Sequence, residues 1–229
     1  MALFTIGDLH LSFGTDKPMD IFHGWSDYVK RIEDNWQRLI TPNDTVVIAG
    51  DISWSMKLSE CYADFSFINK LAGKKIIIKG NHDYWWSTKS KMDKYILDNK
   101  FDSISILFNN AFACGDYAVC GTRGWALDGT GEHDVRVLNR EVGRLKTSLE
   151  YAKKFDLTPI VFLHYPPVYG DTECTEILDV LFEHNIKKCY YGHLHGSMAR
   201  RYAVVGEYKG IDFSLISCDN TNFTPILVR

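Results

Sequence analysis

No apolar run in this sequence approaches the roughly 20 residues that a membrane-spanning helix needs. The opening residues MALFTIGDLH also carry no basic stretch followed by a hydrophobic block, so a cytoplasmic protein is expected. Charge of one sign is scarce too: 26 Lys and Arg against 29 Asp and Glu leave a formal −3. That balance argues against a broad electrostatic footprint for duplex nucleic acid or anionic lipid, while leaving room for a local basic patch. The six cysteines, Cys61, Cys114, Cys120, Cys174, Cys189 and Cys218, form no C-x-x-C pair. A chain of 229 residues buries enough surface to fold without cross-links, so reduced, buried thiols are expected. Internal repeats, low-complexity tracts and Pro- or Ser-rich linkers are missing as well, and residues 1–229 read as one domain.

What is present is an alternation of strand and helix signals. Short β-branched runs over 3–6, 45–49, 75–79, 104–107, 118–120, 160–163 and 189–191 alternate with helical stretches over 25–40, 58–71, 88–99, 133–155 and 173–184. This is the syntax of an α/β protein, and continuously apolar strands are those covered on both faces. In the fourth helix, Val135, Leu138, Val142, Leu145, Leu149 and Ala152 recur every three or four residues and form one core-facing stripe. Beyond residue 200 the runs 201–208, 211–217 and 225–228 follow one another with no helix between them, which suggests an antiparallel second sheet. Segment 126–135 is polar with two glycines and reads as a mobile loop near the site, a candidate lid.

Chemistry concentrates in five short words at or just past the strand ends: Gly7-Asp8-Leu9-His10, Gly50-Asp51, Gly80-Asn81-His82-Asp83, His164 before Tyr165-Pro166-Pro167, and Gly192-His193-Leu194-His195. In open α/β sheets, sites form in the crevice beyond the carboxyl ends of strands. Taken separately each word is weak: Asp-x-His reads as a turn followed by a surface histidine, His164 as a histidine satisfied in a rigid loop, and His193 with His195 as a pair on one face of a surface strand. Together they bring Asp, His, Asp, Asn, His, His and His to one sheet edge, and Asp and His are poor strand-core residues. Carboxylate, imidazole and amide donors suit Mn²⁺, Fe or Zn²⁺ better than Mg²⁺ or Ca²⁺. Seven donors exceed the needs of one ion, whereas two ions about 3.5–4 Å apart sharing a carboxylate would use them.

This ordered set resembles the calcineurin-like metallophosphoesterase superfamily over residues 7–196. The resemblance implies a four-layer αββα sandwich, two mixed β-sheets flanked by helices. Carried onto this sequence, it implies that Asp8, His10 and His195 hold a first metal, Asn81, His164 and His193 a second, and that Asp51 bridges them. It further implies in-line attack by a metal-bridging hydroxide on a small phosphodiester or phosphomonoester, a nucleotide-like substrate, with manganese the first choice and iron or zinc the alternatives. His82 resembles the family's non-ligand histidine, a donor toward the leaving-group oxygen; the other reading is that it only buttresses the turn. Asp83, by adjacency, is a candidate for fixing an imidazole's orientation.

Protein Ser/Thr phosphatases of this superfamily continue the second word as GDxxDRG, whereas this chain reads Gly50-Asp51-Ile52-Ser53-Trp54. Trp54 stands where their acid lies, which disfavours protein phosphatase activity. Among substrate contacts, Trp54, Tyr84 and Trp125 either stack on a substrate ring or pack over the core, and Arg123 either forks onto phosphate oxygens or is solvated. Two further readings remain: a non-catalytic metal-binding scaffold on the same fold, and a histidine-rich metal store.

Overall fold

The computed structural model describes residues 1–125 and 131–229. The first half of the chain forms β1 (Leu3–Ile6), α1 (Tyr28–Leu39), β2 (Thr45–Ile48), α2 (Tyr62–Lys70), β3 (Lys74–Ile77), α3 (Lys89–Asp98) and β4 (Ile104–Ile106). The second half forms β5 (Phe112–Cys114), β6 (Tyr117–Thr122), α4 (Glu132–Ala152), β7 (Thr158–Leu163), β8 (Val168–Tyr169), β9 (Thr172–Glu173), α5 (Thr175–Glu183), β10 (Lys188–Tyr191), α6 (Gly196–Arg200), β11 (Gly206–Tyr208), β12 (Ile211–Leu215) and β13 (Ile226–Leu227).

β1 to β4 lie side by side in parallel, and β13 closes the β1 edge antiparallel. The second sheet has the order β11-β12-β10-β7-β6-β5; its four inner strands are parallel and its two edge strands antiparallel to their neighbours. Because successive side chains on a strand face opposite ways, each strand serves two cores. Val46 and Ile48 of β2 join Ile32, Trp36, Phe65 and Ile68 beneath the first-half helices. Val161 and Leu163 of β7 join Leu138, Leu145, Ile177 and Leu181 beneath α4 and α5. Between the sheets, Val47 and Ile76 meet Val119, Ile160 and Phe162. The outcome is helices, sheet, sheet, helices: the four-layer sandwich. Each fully buried Ile, Leu or Phe in it contributes roughly 1.5–3 kcal/mol.

The C-terminal third departs from expectation. Among the described residues, the runs beyond 200 form no sheet of their own: β12 extends the second sheet parallel to β10, while β13 crosses to the first sheet and pairs with β1. The segment after His195 makes the short helix α6 before β11. In α4 the stripe begins one turn late, since Val135 is exposed whereas Leu138, Leu145, Leu149 and Ala152 are buried. Of the loop expected over 126–135, residues 126–130 lie outside the described residues, and Glu132 to Val135 are helical. All six cysteines are free and buried, and no helix among the described residues is long and apolar enough to cross a membrane.

Candidate metal centre

The five words leave the ends of β1, β2, β3, β7 and β10, and backbone bonds lock them together. Asp8 N–H donates to Gly50 O (2.9 Å), His10 N–H to Asp51 O (2.9 Å), Gly192 N–H to His164 O (3.1 Å) and Gly7 N–H to Ile216 O (2.7 Å). Four of the seven expected ligands sit in the left-handed region: Asp8 (φ 62°), His10 (46°), Asp51 (49°) and His193 (72°). Non-glycine residues seldom adopt it, and such conformations cluster where a fold over-determines a functional site.

Two glycines admit the close approach. A Cβ on Gly80 would lie 2.1 Å from both the Asp51 nitrogen and its Oδ1, and one on Gly192 would lie 2.4 Å from Asp8 Oδ2. Gly80→Ala is expected to cost about 1–3 kcal/mol, as overpacking does, and to lower metal occupancy. Thermal melts with and without added manganese check both.

The seven side chains converge. His10 Nε2 lies 3.2 Å from His195 Nε2, and His195 Nε2 lies 3.3 Å from Asp8 Oδ1. Asn81 Oδ1 lies 2.6 Å from His164 Nε2 and 2.9 Å from His193 Nδ1. Between these groups stands Asp51, with Oδ2 3.7 Å from His10 Nε2 and 3.6 Å from His164 Nε2. Donor atoms of Asp8, His10 and His195 lie within 4.8 Å of one another, as do those of Asp8, Asp51 and His164. His164 Nδ1 is 2.9 Å from Ala49 O, so its N–H donates there and Nε2 is the nitrogen left to ligate.

The electrostatics favour cations. Burial alone would raise the Asp8 carboxyl, but His195, His164 and His10 hold it well below the usual range. Burial, reinforced by the charge of Asp8, pushes Asp51 up to about 8. Burial opposes a charged His195, yet Asp8 and Asp219 outweigh it and lift the imidazole to about 10. Burial drives His193 down to about 3 and also lowers His10 and His164. Two buried carboxylates, four imidazoles and the facing lone pairs of Asn81 Oδ1 and His164 Nε2 are costly together unless positive charge is shared among them. The donor set therefore fits bound metal cations.

The other expected residues divide. The His82 ring packs against Trp54 (centroids 4.5 Å apart) and stands 5.7 Å from the His10 ring, at the border of the cluster. Its Nδ1 lies 3.4 Å from the Tyr84 hydroxyl, and Trp54 also stacks on His10. Asp83 makes no hydrogen bond to an imidazole among the described residues. It accepts from Gly80 N–H (2.7 Å), Ile52 N–H (2.8 Å), Ser53 N–H (3.3 Å) and the Trp85 indole (3.0 Å), tying the second word to the third. Arg123 is largely buried: one guanidinium nitrogen lies 3.4 Å from the buried Glu141 carboxylate, the guanidinium lies over the Trp125 ring, and its Nε has no hydrogen-bond partner among the described residues. Trp125 lines a cavity of about 520 Å³ that opens beside His193 and His195.

Sequence reasoning missed Asp219. His195 Nδ1–H donates to Asp219 Oδ1 at 2.9 Å and Gly196 N–H to Asp219 Oδ2 at 2.9 Å, which aims His195 Nε2 at Asp8. The available signal was a lone aspartate just past β12, the same strand-end rule that marked the five words. Asp219→Asn is expected to weaken metal binding by about 10–100-fold, the usual cost of losing a ligand's orienting partner; competition with a chromophoric chelator measures it.

The family model of calcineurin-like phosphoesterases matches residues 1–197. A search of the curated proteins returned no match. Among solved structures, the chain is similar to phosphopantetheinyl hydrolase from Mycobacterium tuberculosis, with TM-score 0.58 and 13% identity, covering 99% of this chain and 95% of that one. It is similar to TT1561 of Thermus thermophilus, with TM-score 0.57 and 12% identity over 99% and 97% of the two chains. It is also similar to the protein of unknown function AQ665 from Aquifex aeolicus, with TM-score 0.50 and 17% identity over 99% and 95%.

Proposed function

From the premise that the chain belongs to the calcineurin-like phosphoesterase family, we propose that it hydrolyses a small phosphodiester or phosphomonoester at a dinuclear metal centre. The observation that carries this reading is the convergence of seven donors from five separate loops with a non-ligand histidine at their border.

Asp8, His10 and His195 would hold one cation, Asn81, His164 and His193 the other, and Asp51 both. Bound there, two such cations, manganese first or iron or zinc, lower the pKa of a water and neutralise charge on the phosphoryl oxygens. The protein's own groups do the rest. Asp219 keeps His195 in one tautomer, and Ala49 does the same for His164. With the Tyr84 hydroxyl donating to its Nδ1, His82 carries its proton on Nε2 and delivers it toward the leaving-group oxygen. Trp54 shields the His10 and His82 rings from water on one side.

A protein phosphatase is disfavoured, because among the described residues His82 rests on an indole and a phenol rather than a carboxylate. Residues 1–229 are proposed to act as one domain on a small soluble substrate in the cytoplasm, with six unpaired thiols consistent with a reducing compartment.

Turnover of generic mono- and diesters by the manganese-reconstituted protein tests the reading and assigns the subclass. Hydrolysis that a chelator abolishes and manganese restores is expected. Stoichiometric metal binding with no turnover of either class would favour the scaffold or metal-store alternatives.

A further inference from the structure

The cavity beside His193 and His195 differs in chemistry from the centre it adjoins. Trp125, Pro166, Pro167, Tyr169, Leu194 and Ala199 supply most of its wall, and no Lys, Arg, Asp or Glu lines it among the described residues. At about 520 Å³ it has the size of a small-molecule site. Its floor is stiff, with consecutive prolines leading into the β8–β9 hairpin.

The cations nearest the centre stay out of the lining: Arg123 lies behind the Trp125 ring, 4.7 Å from its centroid, and Arg200 turns to the Asp219 carbonyl. Lys79, Arg123 and Arg144 share a separate, narrow cleft with Glu141, and Lys17 lies over the Trp54 ring, 4.9 Å from its centroid. Away from the shared His193 and His195, a second phosphate or a carboxylate entering the cavity would lose its hydration and meet no Lys or Arg in the wall, a cost that selects against it. An apolar group would exchange water for aromatic, proline and aliphatic surface. Since His193 and His195 belong to both cavity and centre, a group attached to a phosphate held at the centre would reach into the cavity.

Resting on the phosphoesterase reading, we propose that the cavity receives the organic arm of the substrate and selects an uncharged, largely apolar one. The Trp125 ring forms one wall of the slot, edge-on to Tyr165 at 5.7 Å.

The test uses two series on the full-length, manganese-loaded protein: non-hydrolysable alkylphosphonates from methyl to octyl, read by calorimetry, and the matching alkyl phosphate mono- and nitrophenyl diesters, read by kcat/KM. Phosphonate affinity is expected to rise up to about fourfold for each methylene fully buried, and a terminal carboxylate to cancel that gain. Ala199→Phe, which narrows the slot, is expected to erase the chain-length gain while leaving methylphosphonate binding unchanged. Tyr169→Ala, which widens it, is expected to weaken mid-length chains most and serves if Ala199→Phe fails to fold.

Ester hydrolysis with no chain-length dependence, or a gain that neither variant alters, would overturn the inference and leave the phosphoesterase reading standing. Phosphonate binding with the expected gain but no hydrolysis of any ester would do the reverse.

Discussion

Replacing Asp51 by asparagine is expected to lower turnover by at least about 10³-fold, the upper range for removing one fixed electrostatic element from an active site. The carboxylate faces His10 and His164 through Oδ2 and accepts His82 N–H through Oδ1 at 2.7 Å. No other side chain of the cluster combines those contacts. Asparagine keeps the volume and one acceptor but removes the negative charge on which both cations would draw, so metal content is expected to drop with activity.

The same substitution has an opposite consequence for the chelator-treated protein. Burial and the neighbouring Asp8 raise Asp51 to about 8 in the folded chain, against 3.8 for an ordinary aspartate. The unfolded chain therefore loses this proton at lower pH than the folded chain does, and the group withdraws stability progressively between about pH 4 and pH 8. Below that window both states are protonated and the group contributes nothing. The asparagine variant should accordingly melt near wild type at pH 4 and above it at pH 8 when metal is removed. A fall in activity together with a rise in metal-free stability marks a functional residue held against the preference of the fold. A variant less stable at every pH would indicate an ordinary structural role.

The second large effect is expected at His82. His82→Ala should reduce kcat by about 10²–10⁴-fold, the range for a positioned proton donor, with two metals still bound. The ring touches Trp54 and Tyr84, and none of the close donor contacts that define the cluster involves it. The loss should be largest for esters with alkoxide leaving groups and shrink for nitrophenolate, which departs without a proton. Equal losses for both would show that His82 buttresses the turn. Metal analysis alongside kinetics separates this effect from ligand loss.

Much of this architecture was legible from periodicity and strand-end chemistry. Strands such as β2 and β7 declare themselves because burial on both faces demands unbroken apolar runs. The five words stood out because aspartate and histidine are misplaced at such ends unless they do something. Side-chain direction was not legible. Asp83 was read from adjacency as the partner of an imidazole, yet four N–H donors claim it. Arg123 sits between glycines, a context that hides the buried Glu141, 18 residues along the chain, that holds it. Asp219 escaped notice because its partner His195 lies 24 residues away, and only the β12 crossover brings them together. The crossing of β13 was invisible for a similar reason: two paired residues carry too little pattern to say which sheet they join.

The geometry of bound metal decides the central claim. Anomalous diffraction from crystals of the manganese-loaded protein should give two peaks about 3.5–4 Å apart, both within ligand distance of the Asp51 carboxylate. A single peak, or two distant peaks that Asp51 does not join, would contradict it.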